Sequence, residues 1–332
     1  MRAASYDRVG AAQDVLAIST VATPHAQPGQ LLVRIHASGV NPSDVKRRAG
    51  WRSNGPLLRP IIPHSDGAGI VEAVGDGVSP AWIGRRVWVW SIPGKTFTLD
   101  AFEWGTACES LTVPVENAVP LPDEASFDVG ACLGIPACTA HYAIFADGSV
   151  AGLTILVQGG GGAVGECAIQ FAKQAGATII ATAGSSETAK IARKAGADHV
   201  LDRRDMRLAQ LITDLAPEGV DRIIELDFAA NAGLDAAVIR RDGIIASYSS
   251  PSDPEPRIPY YALQLKGAQI RLISSYILPE AARHAAIAEI TAMLRRSTLR
   301  PTIMEPFALE NIAAAHHALE TRAGVGQVVV RL

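Results

Sequence analysis

No two of the four cysteines, Cys108, Cys132, Cys138 and Cys167, stand in C-x-x-C spacing. Their scatter argues against a zinc ribbon or a redox dithiol and suits small core residues in a reducing compartment. An excess of charge is missing too: 30 Lys and Arg against 33 Asp and Glu leave a net −3. That balance gives no electrostatic case for nucleic acid or an anionic membrane surface. No apolar run reads as a membrane span, because the longest charge-free stretch, 129–146, is broken by Gly134, Pro136, Thr139 and His141. The segment MRAASYDRVGAAQ lacks the apolar core of a signal peptide, so a cytoplasmic location is expected. The histidines are dispersed. His316 and His317 share a helical run, 309–321, and are expected on a partly exposed face rather than at a metal.

What is present is a chain of 332 residues, enough for about two domains with proper cores. It centres on residues 154–186. A short apolar run, 154–158, breaks into Gly159, Gly160, Gly161 and Gly162; an amphipathic helix opens near Ala163; a second apolar run, 178–182, follows. Gly160, Gly162 and Gly165 fit G-x-G-x-x-G, in which two glycines let the backbone approach a pyrophosphate and the third lets helix pack on strand. The free N–H groups of residues 163–165 would face the phosphates with the positive end of the helix dipole. A flexible glycine linker would lack the flanking strand patterns.

After the second strand an NAD site usually places an acid to hold the ribose. Here the chain reads Ala183, Gly184, Ser185, Ser186 and has no acid before Glu187. Lys190 lies one helical turn beyond Ser186, and Arg203 and Arg204 follow the expected third strand. Cations without an acid suit a 2′-phosphate, so NADPH is the expected cofactor. Solvated surface charge is the alternative reading of Lys190 and Arg203.

From residue 1 to about 123 short apolar segments alternate with Gly and Pro. The clearest strands are 31–37, 69–74, 86–90 and 109–113, which predicts a small barrel-like β domain. Its segment 39–66 is long for a loop, which suggests function. From about 124 to 275 strand alternates with helix. Strands are expected at 155–158, 178–182, 199–201, 222–226, 243–247 and 270–274, forming a doubly wound parallel sheet. Helices near 279–296 and 309–321 and a strand at 327–331 are expected to rejoin the first domain, leaving a cleft between the two.

Several motifs in order carry a resemblance: Gly39-Val40-Asn41-Pro42-Ser43-Asp44, Ser65-Asp66-Gly67-Ala68-Gly69, Gly134-Ile135-Pro136 with Thr139, the glycine loop, Ala183-Gly184-Ser185 and Gly196-Ala197-Asp198. With them the chain resembles, over essentially its full length, the zeta-crystallin-like NADPH:quinone oxidoreductases, a zinc-free branch of the medium-chain dehydrogenase/reductases. The resemblance implies an α/β architecture: a GroES-like catalytic domain at 1–123 and 276–332, split around a Rossmann domain at 124–275. A homodimer or homotetramer is implied as well, with the stretch 270–274 as a candidate pairing edge. The resemblance places Thr139 near the nicotinamide, Gly160, Gly161, Gly162, Ala163 and Val164 on the phosphates, and Gly184, Ser185, Lys190 and Arg203 around the adenosine ribose. Ser249, Ser250, Leu272, Ile273 and Ser274 match further cofactor-lining stretches.

Zinc relatives use Cys and His ligands, and the corresponding positions here are 41–43 with Ser65 and Asp66. Without thiolate or imidazole a tetrahedral zinc site is not expected, and alcohol oxidation is disfavoured. Hydride transfer from NADPH to a quinone or activated alkene is the expected chemistry, since negative charge then delocalises onto an oxygen. Asn41 is the candidate polariser and Asp44 its organiser, although Asn41-Pro42 also reads as a plain turn. Lys46 stands where relatives carry a Tyr and is the candidate proton donor; Trp51 is a candidate wall for the acceptor, with a core or interface role as the alternative. An enone or enoyl-thioester reductase is the nearer alternative, favoured by a basic entrance of Lys46, Arg47, Arg48 and Arg52. A nucleotide-binding structural protein with little turnover is the alternative of another class.

Overall fold

A computed structural model describes residues 1–51, 56–57, 59–90 and 104–332. It divides into two compact units, one of Met1–Ile135, Ile287–Ser297 and Pro301–Leu332, the other of Pro136–Ala286 and Thr298–Arg300. Among the described residues no helix is long and apolar enough to cross a membrane.

The first unit is built on a sheet whose central strand, Gln30–Val40, pairs antiparallel with Asp66–Val74, Ser110–Pro114 and Val328–Arg331. Asp66–Val74 continues to Arg86–Trp90 and then to Ala118–Pro120, again antiparallel. Leu31, Val33 and Ile35 alternate inward, as the period-two pattern predicts, and pack with Val71, Val87, Val89 and Leu111. From Ala37 onward every residue of the strand is buried, so it runs on to Val40 past the point where alternation stops. Gly39 makes this possible: a Cβ there would lie 1.9 Å from the Ala131 carbonyl oxygen. Segment 39–66 is therefore not a bare loop. It finishes a strand, and Asn41 then caps a short helix, Pro42–Arg48, with proline in the first turn and Asp44 accepting the Asn41 N–H at 2.8 Å.

The second unit is a six-stranded parallel sheet in the order His199–Asp202, Thr178–Ala183, Thr154–Val157, Val220–Glu225, Ile239–Ser247, Gln269–Leu272. All six expected strands are present. Because they are parallel, their carboxyl ends lie along one edge, where ligands of doubly wound sheets bind. The fifth strand opens four residues earlier than its sequence suggests. Arg240, Arg241 and Asp242 are exposed, and pairing passes them by a register shift. Buried Arg222 fastens the preceding helix Cys138–Phe145 by donating to the carbonyls of Ala143 and Ile144 and to Asp147.

All four cysteines are buried and free, as expected of core residues. His316 departs from expectation. It is fully buried, and its Nε2 lies 2.9 Å from Nε2 of His64, while His64 Nδ1 meets the Ser38 hydroxyl at 2.8 Å. Burial holds both imidazoles below their usual pKa, His316 at about 3.

Candidate functional site

The glycine turn has the local geometry its sequence implies. Gly159 takes φ +66°. Gly162 caps the helix Ala163–Gln174, and Gly162, Ala163 and Val164 are exposed or half-buried while the rest of the first turns is covered. Close approach explains the other glycines. A Cβ on Gly161 would lie 2.4 Å from the Thr188 carbonyl oxygen, and one on Gly165 would lie 2.3 Å from that of Gly159. Beneath the turn runs a polar chain that sequence reading missed. The Gly159 N–H donates to Thr182 Oγ1 at 3.0 Å, Thr182 donates to Gln158 Oε1 at 2.9 Å, and Gln158 Nε2 donates to Asp235 at 3.3 Å. Burial and the neighbouring charge of Glu225 push the Asp235 carboxyl well above the usual carboxylate range. The visible signal was Glu225 itself, an acid closing an apolar strand.

At the end of the second strand Ser185 caps helix Ser186–Ala195. Of the nearby cations, Arg204 is committed to Asp202, with Nη2 2.9 Å from Oδ2. Arg203 is exposed and lies against Gly184, where a Cβ would sit 2.8 Å from its Nε. Lys190 is exposed on the next helix, within electrostatic reach of Glu187. At the neighbouring strand ends, Ser250 accepts the Ala229 N–H at 3.2 Å and donates to the Asp253 carbonyl at 2.5 Å. The Ser249 carbonyl accepts the Phe228 N–H, Leu272 is exposed, Ile273 is buried, and the Ser274 hydroxyl is buried without a partner among the described residues. Thr139 is buried in the helix Cys138–Phe145. The parallel sheet thus gathers the glycine turn, Gly184, Ser185, Arg203, Ser249, Ser250 and residues 272–274 at its carboxyl edge.

In the first unit a buried polar cluster surrounds Asn41. Its Nδ2 donates to Asp66 Oδ2 at 2.9 Å, and Asp66 also accepts the Ile135 N–H at 3.0 Å on both oxygens. Ser65 Oγ lies 3.3 Å from Asp44 Oδ1, to which it donates. Burial raises both carboxyls: Asp66 to about 8, against the hydrogen bonds from Ile135 and Asn41, and Asp44 to about 6, against the charge of Arg47. Lys46 is half-buried, its ammonium 5.8 Å from the ring centroid of exposed Trp51. The expected basic entrance is not formed by Arg47 and Arg48, which are buried. Arg48 donates to the Gly10 carbonyl and to Glu320, and Arg47 lies close to Asp44 as a counter-charge. Arg52 lies outside the described residues.

Asn41, Ser65 and Asp66 together offer an amide, a hydroxyl and a carboxyl. That donor set lacks the thiolate and imidazole of a tetrahedral zinc site and does not fit the metal. Among the described residues no three His, Cys, Asp or Glu side chains are placed to share one.

A β-rich unit with this buried cluster, and a doubly wound unit with a glycine turn and a cation beside its second strand, define a nucleotide-dependent enzyme of the medium-chain dehydrogenase/reductase class. Residues 27–123 match the family model described as alcohol dehydrogenase GroES-like domain, and residues 163–292 the one described as zinc-binding dehydrogenase. The chain is 32% identical over 319 residues to the quinone oxidoreductase of Sus scrofa, covering 95% of this chain and 92% of that protein. It is 31% identical over 337 residues to the human quinone oxidoreductase, covering 100% and 98%. A solved mycobacterial structure complexed with NADPH superposes with a TM-score of 0.87 at 27% identity, covering both chains completely. The chain belongs to the quinone oxidoreductase family, the zeta-crystallin-like branch of the medium-chain dehydrogenase/reductases.

Proposed function

We propose that this protein is a zinc-independent NADPH:quinone oxidoreductase. The observation that carries the reading is the Asn41 cluster, which places an amide at the position where zinc relatives carry a ligand and offers neither thiolate nor imidazole. NADPH, when bound, supplies the hydride. The exposed first turn at Gly162, Ala163 and Val164, with Gly160 and Gly161 behind it, would hold the pyrophosphate. Gly184 would admit the ribose and Arg203 would pair its 2′-phosphate, with Ser185 and Lys190 beside it. Thr139 would lie by the nicotinamide. Asn41 would orient and polarise the acceptor oxygen, Asp44 would fix the Asn41 backbone, and Lys46 would deliver a proton, with Trp51 as a wall.

The burial of Arg47 and Arg48 removes two of the four cations that favoured an enoyl-thioester. Steady-state turnover with NADPH is accordingly expected to rank a quinone first, a simple enone second and an enoyl thioester last by kcat/KM. A preference for the thioester would overturn the acceptor assignment and leave the family intact.

A further inference from the structure

Asp66 is fully buried, and its surroundings are built to keep it there. It opens the strand Asp66–Val74, while the N–H it binds belongs to Ile135, in a π-helical turn, Leu133–Ala137, that contains Pro136. Such turns are uncommon and concentrate at functional sites. Gly134 completes the fit: a Cβ there would lie 2.2 Å from Asp66 Oδ1, so only glycine lets the carboxyl press against the turn. A carboxyl taken out of water at this depth is costly, and packing alone does not require it.

We propose that Asp66, held by the Ile135 N–H and Gly134, is a positioning residue that sets which end of the Asn41 amide faces the acceptor. The inference rests on the reading of Asn41 as the polarising group. An amide has nearly the same shape when flipped, so its neighbours decide where nitrogen and oxygen point. The Ile135 N–H holds both Asp66 oxygens and turns Oδ2 to Asn41 as an acceptor, with the carboxyl ionised or protonated, and Asn41 answers with Nδ2 at 2.9 Å. The second amide N–H and Oδ1 are thereby left in one defined arrangement. Asp66→Asn keeps the shape and reverses this logic. Its oxygen must stay on the Ile135 N–H, its NH2 then turns to Asn41, and the Asn41 amide rotates to present oxygen inward.

The test is a double-mutant cycle of Asp66→Asn and Asn41→Ala, read as kcat at saturating quinone, with NADPH Kd and Tm as controls. Asp66→Asn is expected to lower kcat about ten- to hundredfold, with NADPH Kd and Tm nearly unchanged, and to cost almost nothing further in the Asn41→Ala background. Gly134→Ala, which displaces the same carboxyl, should reproduce the loss of kcat. An unchanged kcat in Asp66→Asn, or a full loss repeated on top of Asn41→Ala, would overturn the role of Asp66 alone. An unchanged kcat in Asn41→Ala would instead remove the reading of Asn41, and the inference with it.

Discussion

Gly165→Ala weakens NADPH binding about ten- to hundredfold while the β-rich unit keeps its stability. The added methyl would lie 2.3 Å from the Gly159 carbonyl oxygen, a backbone atom that cannot step aside without reshaping the turn. Gly159 is itself held by Thr182 and through it by Gln158. Overpacking of this kind costs about 1–3 kcal/mol. If the turn carries that cost in its binding shape, affinity falls by roughly the factor stated. Tryptophan fluorescence titration with NADPH measures it. An unchanged Kd would mean that the turn does not hold the pyrophosphate.

The second large effect is on cofactor choice. Arg203→Ala is expected to weaken NADPH about ten- to hundredfold and NADH hardly at all, because one charge-assisted hydrogen bond is worth about 1.5–3 kcal/mol. Arg204 is the poorer substitute, since it is already paired with Asp202 at 2.9 Å. Lys190→Ala should give a smaller shift in the same direction, because Lys190 lies on the following helix near the charge of Glu187. Equal losses for both cofactors would assign these cations to the surface.

Both predictions concern features that local sequence encodes. A glycine turn is written in consecutive residues, and so is a strand end with no acid after it, which is why the nucleotide-binding end of the parallel sheet was legible. Pattern failed where burial is two-sided or charges interrupt. The strand Gln30–Val40 outruns its alternation, and Ile239–Ser247 passes through Arg240, Arg241 and Asp242. The cluster around Asn41 was half legible. Asn41 and Asp44 are three residues apart and form a helix cap, whereas Asp66 meets Ile135 across 69 residues and His64 meets His316 across 252. No periodicity reports such pairs. The helical run 309–321 alone points to a partly exposed face for His316, and only the fold brings His64 against it.

The most direct test of the zinc-free reading is single-turnover stopped flow of NADPH with a quinone, using protein stripped by chelator and kept in it. Oxidation of NADPH at the same rate with and without chelator, and no gain on adding zinc, is the predicted result. Turnover that vanishes with chelator and returns with zinc would contradict the account, and so would tight NADPH binding with no oxidation by any acceptor.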